Sequence, residues 1–302
     1  MMKNIVLTAL TLIVPVTMIL TSCTDDKEMI TSQDITSADD DDAVAILFDQ
    51  AFSEVDMVLE QLEFTWKNPG GLKSVEDTCP IVYVDHNDSV FWPKTVTIDF
   101  GTEGCTGPFS TIRKGKIITV VTDRFRREGS TRTVTFENFS VNDFLIEGTK
   151  TTTNEGRNED ENMYFSIVLT GGKVTTPEGQ EITRNFTRTR TWIEGELTPR
   201  FRWDDIYLIE GEATGINRFG KSYTRTIIDP LVVKTACMWI TSGMVEIVNY
   251  DVTANADGIE IDENSKTEIV LDYGAGECDD KATISVNGET KEITLKGKKS
   301  RP

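Results

Sequence analysis

Thr183-Arg184-Asn185-Phe186-Thr187-Arg188-Thr189-Arg190-Thr191-Trp192 alternates a small polar residue with a large side chain for ten residues. A period of two places Arg184, Phe186, Arg188, Arg190 and Trp192 on one face of an extended strand. Similar stretches, rich in Thr, Val, Ile and aromatic residues, return over 95–98, 116–121, 131–136, 144–146, 164–169, 206–209, 223–228, 244–248, 267–271 and 292–295. Gly171-Gly172, Pro177-Glu178-Gly179 and Asn287-Gly288 supply turns between them. So many strands at short spacing, with no helical pattern between them, predict an antiparallel meander, built as a sandwich or as a curled sheet.

One segment keeps a different period. Val44, Leu47, Phe48, Ala51, Phe52, Val55, Val58, Leu59 and Leu62 recur at three- and four-residue spacing, and Asp49, Glu54, Asp56, Glu60 and Glu63 populate the other faces. Asn68-Pro69-Gly70-Gly71 ends the pattern. The expected fold is therefore mainly β, in the α+β sense: an N-terminal amphipathic helix lying as a lid on a large antiparallel sheet, with its acids on the polar face.

Upstream of the helix the chain changes character. Lys3 precedes an apolar run of 16 residues, Ile5 to Leu20, which closes on Leu20-Thr21-Ser22-Cys23. That run falls short of the ~20 apolar residues that span a bilayer. The arrangement resembles the lipobox of bacterial lipoprotein precursors. The resemblance implies cleavage before Cys23 and attachment of diacylglycerol to its thiol, usually with a third acyl chain on the new N-terminus. Two or three chains anchor stably where one does so only marginally. The expected organisation is a signal peptide over 1–22, an acidic tether over 23–42 and a β-rich globular domain over 43–302, with 72–196 and 197–302 as candidate halves. Acidic residues after the anchor, Asp25, Asp26 and Glu28, resemble the surface-export signal of Bacteroides-type lipoproteins. The implied location is the outer membrane, on its periplasmic or its cell-surface face.

Charge narrows the partners. With 50 acidic residues against 31 basic ones, and only Lys3 lost with the leader, the mature chain carries about −20. Nucleic acid is excluded as a partner, since its binding rests on Lys and Arg neutralising phosphates. Contact with the membrane is expected through covalent lipid alone. A glycan or another envelope protein remains as a candidate partner, and no cofactor is implied.

Five cysteines minus Cys23 leave Cys79, Cys105, Cys237 and Cys278, an even number in an exported chain. Three pairings are open, and an internal likeness favours one of them. Lys94-Thr-Val-Thr-Ile-Asp99-Phe-Gly101 leads to Cys105, and Lys266-Thr-Glu-Ile-Val-Leu-Asp272-Tyr-Gly274 leads to Cys278, with six residues from Asp to Cys in both. Leu145-Ile-Glu-Gly148 recurs at Leu208-Ile-Glu-Gly211, and Trp192-Ile193 at Trp239-Ile240. Either the duplication is permuted or the likeness is convergent strand-and-turn chemistry. Each half holds one cysteine before its Asp motif and one after, which favours Cys79 with Cys105 and Cys237 with Cys278. The stretch from Trp92-Pro93-Lys94 to Cys105 also resembles lipoproteins of Bacteroides-type bacteria that have no assigned activity.

Chemistry-bearing motifs are few. His86 is the sole histidine, and it lies in the polar segment Val84-Asp-His-Asn-Asp-Ser89. Asp99, Asp204, Asp205 and Asp272 are candidates for the carboxylate pair of a glycan hydrolase, which holds its two acids about 5–10 Å apart. Asp272, Glu277, Asp279 and Asp280 form a weak Ca2+ candidate without EF-hand spacing. A stronger pattern is the row Arg184, Arg188, Arg190 and Trp192 with nearby Arg202 and Trp203, since guanidinium forks and aromatic faces recognise sugars, carboxylates or sulfates. The competing reading of that row is a cross-strand salt-bridge ladder with the tryptophans covering the core. The expected role is non-catalytic: binding of a glycan or anionic small molecule, or a structural part in the envelope. A carboxylate hydrolase, a carrier enclosing a lipid and a subunit of a larger assembly are the alternatives. Replacing Cys23 by Ser is expected to move the protein from the membrane pellet to the soluble fraction while its circular dichroism stays unchanged. Persistence in the pellet would contradict the anchor.

Overall fold

The computed structural model describes residues 30, 32–66, 79–86, 91–107, 110–198, 201–255 and 258–295. The leader, Cys23 and Asp88-Ser89-Val90, which fits a three-residue O-glycosylation pattern, lie outside them. One helix, α1 (Ser32–Trp66), precedes fourteen strands: β1 (Ile81–His86), β2 (Lys94–Asp99), β3 (Cys105–Thr106), β4 (Ile112–Val121), β5 (Thr131–Val141), β6 (Phe144–Arg157), β7 (Met163–Thr175), β8 (Glu181–Glu194), β9 (Ile206–Ile216), β10 (Ser222–Lys234), β11 (Ile240–Asn255), β12 (Gly258–Ala275), β13 (Lys281–Val286) and β14 (Glu289–Thr294). All pairings are antiparallel, and the strands follow chain order from β1 to β14 except that β3 is a side branch on β4. The meander expected from the turn spacing is thus one open sheet, not a sandwich of two.

The helix is longer than its apolar period. Val44, Phe48, Ala51, Phe52, Val55, Leu59 and Leu62 form the buried stripe, and α1 lies over β4 and β5. The first turns, from Ser32, run through what the sequence reads as tether. Periodicity could not find them, because 32–43 has no apolar face to reveal a helix. Strands were missed for a related reason: β1, β3 and β13 are short or interrupted by Asp, Lys and Ser.

Opposite the helix, the inner face of the sheet carries two apolar clusters. The first joins the helix stripe to Val96, Ile98, Ile117, Val134, Phe165, Leu169 and Phe186, and extends to Ala213 of β9. The second starts at Leu231 of β10 and includes Val245, Ile247, Ile269, Leu271, Ile284 and Ile293. Hydrogen bonding runs unbroken between them, since β9 pairs with β10 from Ser222↔Ile216 to Lys234↔Ile206 around one bulge. Apolar packing therefore divides the molecule where the backbone ladder does not.

Long strands stay on one curved surface because they are creased. Register shifts mark β4 beside Lys114/Lys116, β5 between Thr135 and Ser140, β6 at Glu147/Thr149 and β7 between Leu169 and Gly172. A second set marks β10 between Thr226 and Leu231 and β11 at Ser242/Met244. Bulges of this kind add local twist and bend a sheet. The two Leu-Ile-Glu-Gly copies contribute a glycine in matching conformation: Gly148 has φ 130° and Gly211 φ 132°. At Gly211 a Cβ would strike Thr187 O, so the backbone of β8 approaches too closely for any side chain.

The other likeness is also realised locally. Gly101 N donates to Asp99 Oδ1 at 2.9 Å and Gly274 N to Asp272 Oδ1 at 2.8 Å, the same Asx turn at both sites. The cysteine that follows each turn is disulfide-bonded, Cys105 to Cys79 and Cys278 to Cys237, with Cα separations of 5.5 and 5.7 Å. Trp192 is buried in the first cluster and Trp239 packs against the second.

Gly211→Ala is expected to lower stability by about 1–3 kcal/mol or more, combining a disfavoured φ with the clash on β8. Gly129→Ala, with φ 77° and open space around its Cβ, should cost less. Urea midpoints of the two variants measure the difference.

Candidate functional site

The alternation in β8 does what its sequence dictates. Ile182, Arg184, Phe186 and Trp192 are buried and Arg188 and Arg190 half-buried on the inner face. Cross-strand register sets Arg188 opposite Ile167 of β7 and Gly211 of β9, and Arg190 opposite Phe165 and Ile209. The row is thereby enclosed rather than displayed. Arg184 is fully buried, with Nη1 3.4 Å from the Tyr223 hydroxyl, which itself donates to Thr183 O at 3.3 Å. On β10, buried Arg225 makes a similar approach, 3.5 Å, to the Tyr273 hydroxyl.

Aromatic rings receive the neighbouring cations. Arg188 lies 4.3 Å from the Phe186 ring centre, and Arg190 lies 5.0 Å from Tyr207 and 5.1 Å from Phe165. Arg132 of β5 lies 4.0 Å over Phe125, and Lys150 of β6 lies 3.9 Å over Phe52 of the helix. Desolvated cations on ring faces are attracted by the ring quadrupole, by up to about 2 kcal/mol.

Helix acids complete this layer. Arg113 Nη2 meets Glu54 Oε1 at 2.8 Å, and Arg132 reaches both Asp56 Oδ1 at 3.3 Å and Glu63 Oε1 at 2.9 Å. Glu63 Oε1 also accepts from the Phe125 backbone N–H at 2.9 Å. The acids expected on a solvated helix face instead flank the apolar stripe and dock on basic side chains of the sheet. Burial alone would raise the Asp56 carboxyl, but the combined fields of Lys150, Arg132, Arg190 and Arg202 hold it below its ordinary range. For Lys150, burial and the repulsion of Arg190 and Arg132 outweigh the pull of Asp56 and Asp49, and its pKa falls to about 8.

The exposed end of the row is the connection from β8 to β9. Glu196 grips Arg157 through a two-pronged fork, at 3.0 and 2.6 Å, and its carbonyl accepts from Arg126 at 2.9 Å. Thr198 Oγ1 donates to Asp204 Oδ2 at 2.6 Å, and the Tyr207 hydroxyl donates to Asp205 Oδ2 at 3.2 Å. A short 3-10 turn, Arg202–Asp204, is tied to the helix where Arg202 Nη1 meets Glu60 Oε2 at 3.1 Å. On this braced loop Leu197, Phe201 and Trp203 are exposed, Trp203 by 53%. Arg202 and Trp203 thus stand at the surface, while Arg184, Arg188, Arg190 and Trp192 lie beneath. Leu197 and Phe201 were not anticipated, because nothing in a lone Leu or Phe signals that a loop will leave it in water.

The remaining candidates serve their own turns. Asp99 and Asp272 cap Asx turns on strands with eight others between them in the sheet. Asp204 and Asp205 accept from Thr198 and Tyr207, and burial raises the Asp205 carboxyl against the lowering effect of Tyr207. Asp279 Oδ1 accepts from Lys281 N at 3.0 Å. Asp272, Glu277 and Asp279 are exposed, and among the described residues no three His, Cys, Asp or Glu side chains are gathered for a metal ion. Of the weak Ca2+ candidates, Asp272 and Asp279 each turn one carboxylate oxygen to a backbone N–H of their own turn.

The Lys150 ammonium ordinarily titrates near 10.5, so between about pH 8 and 10.5 the unfolded chain holds a proton that the folded chain has released. The penalty is full below pH 8 and fades as pH rises to 10.5. Lys150→Met is therefore expected to stabilise the protein at pH 7 and to lose that advantage by pH 10, read as the shift in urea midpoint at each pH. No family model, curated protein or solved structure matches this chain.

Proposed function

We propose that this protein is a lipid-anchored component of the bacterial outer membrane, held through Cys23 on the periplasmic or cell-surface side, and that its folded domain binds a glycan or anionic small molecule without transforming it. The β8–β9 connection carries this reading. Trp203 and Phe201 are exposed on either side of Arg202 in the chain, on a loop braced by the Glu196–Arg157 fork and by Glu60 of the helix. A rigid aromatic platform loses little conformational entropy when a ligand stacks on it. The Arg202 guanidinium, which gives Nη1 to Glu60, has further N–H donors for hydroxyl, carboxylate or sulfate oxygens.

A glycan array probed with the wild-type domain and with Trp203→Ala tests the reading. Selective binding by the wild type, reduced at least tenfold by the substitution, is the expected result. Equal binding by both, or binding by neither, would overturn it. Trp203 is half exposed, so the variant is expected to fold, which its urea midpoint checks.

A further inference from the structure

The open sheet has two edges, and their chemistry differs. β14 carries Glu289, Lys291 and Glu292 at three of its six positions. Charged side chains along an edge strand guard it against pairing with other chains. β1 is built the opposite way. Ile81-Val82-Tyr83-Val84 holds no charge in a chain of net charge −19, and Asp85 and His86 come only at its end. Such β-branched and aromatic residues suit a paired strand. Yet β1 pairs with β2 alone, from Ile81↔Asp99 to His86↔Lys94, and among the described residues no strand lies beyond it. An antiparallel edge strand directs alternate N–H and C=O groups to its neighbour and points the others away from the sheet, here along roughly 20 Å. Tyr83 and, ahead of β2, Phe91 are each 52% exposed. Val82 and Val84, which alternate with Tyr83, pack against the first core. The Cys79–Cys105 disulfide holds the start of the strand, so little conformational entropy is lost when another strand adds to it.

We propose that β1 is a homodimer interface, in which the β1 strands of two copies pair antiparallel about a two-fold axis through Tyr83 and join two open sheets into one. The strand complements itself, which selects a second copy as its partner and selects this register. Centred on Tyr83, Val82 lies opposite Val84 of the second copy and Val84 opposite Val82, so the apolar row of each first core continues into the other. Tyr83 lies opposite Tyr83, an aromatic cross-strand pair, and Asp85 lies opposite Ile81, so no like charges meet. Centring on Val84 would set Tyr83 against Asp85 and His86 against Val82, and centring on Val82 would pair only Ile81 to Tyr83 within β1. One strand pair buries less than the ~1,200 Å2 of a standard interface, which makes the dimer weak, with Kd on the order of 10–100 μM. The two acidic chains also repel one another, an effect that salt screens beyond about 8 Å at physiological ionic strength.

Sedimentation equilibrium on the mature chain carrying Cys23→Ser, which removes lipid as a cause of association, tests the interface. This parent chain should show a monomer–dimer equilibrium. Tyr83→Lys and Tyr83→Asp, at a half-exposed position, should each weaken it by at least about tenfold, because like charges then meet on the axis. An equimolar mixture of the two variants should regain it, because opposite charges then face each other there. Thr290→Lys, on the exposed edge of β14, should leave association unchanged. Hydrogen exchange on the parent chain gives a check without any substitution at the interface: amides of residues 81–86 that point away from β2 should exchange at least about threefold more slowly at about 1 mM protein than at about 10 μM. A parent chain that stays monomeric at about 1 mM, or exchange that ignores concentration, would overturn the interface. So would association insensitive to both Tyr83 substitutions, a mixture no tighter than its components, or an equal loss on Thr290→Lys.

Discussion

Docking of α1 on the inner face of the sheet is the contact on which the first half of the molecule depends. Seven apolar helix side chains enter the core, and acids on both sides of that stripe meet Arg113, Arg132 and Arg202. The two kinds of contact do different work. Apolar burial supplies most of the free energy, at roughly 25 cal/mol per Å2 removed from water. The ion pairs add less, because desolvation offsets much of the attraction between partly buried charges. Sliding or rotating the helix would nevertheless leave Asp56 and Glu63 facing apolar surface and strand Arg132 between strands, so the charges define the position in which the apolar stripe settles.

This arrangement also explains how an acidic protein tolerates a basic interior row. Arg132, Lys150, Arg188 and Arg190 lie on neighbouring strands where mutual repulsion would be costly in a dry core. Helix carboxylates and the faces of Phe52, Phe125, Phe165, Phe186 and Tyr207 offset it. The row is consequently closer to an internal scaffold than to an open groove. At its surface end lies the braced β8–β9 loop, where Phe201, Arg202 and Trp203 are exposed.

Beyond β9 the same sheet continues through β10 to β14. Creases at bulges and at glycines such as Gly148 and Gly211 let long strands bend rather than extend flat. The two disulfides pin corresponding Asx turns near the two ends of the sheet, where β2 and β12 have few neighbours beyond them.

Much of this was legible in the chain because it depends on neighbours two to four residues apart. Period two set the face shared by Arg184, Phe186, Arg188, Arg190 and Trp192, period 3.6 set the helix stripe from Val44 to Leu62, and Asp-x-Gly set two turns, all through local sterics and local hydrogen bonds. Contacts between distant residues were not legible. Glu63 lies 69 residues from Arg132 and Glu60 lies 142 from Arg202, and no local pattern announces that such acids will turn toward a sheet rather than toward water. Likewise, the likeness between the two Asp-to-Cys segments favoured one cysteine pairing, but only the sheet brought each pair within 6 Å at the Cα atoms. Alternation could place Arg184 on a face; that Arg184 is buried there, while Trp203, 19 residues later, is left in solvent, was decided by the packing of the sheet and the bracing of one loop.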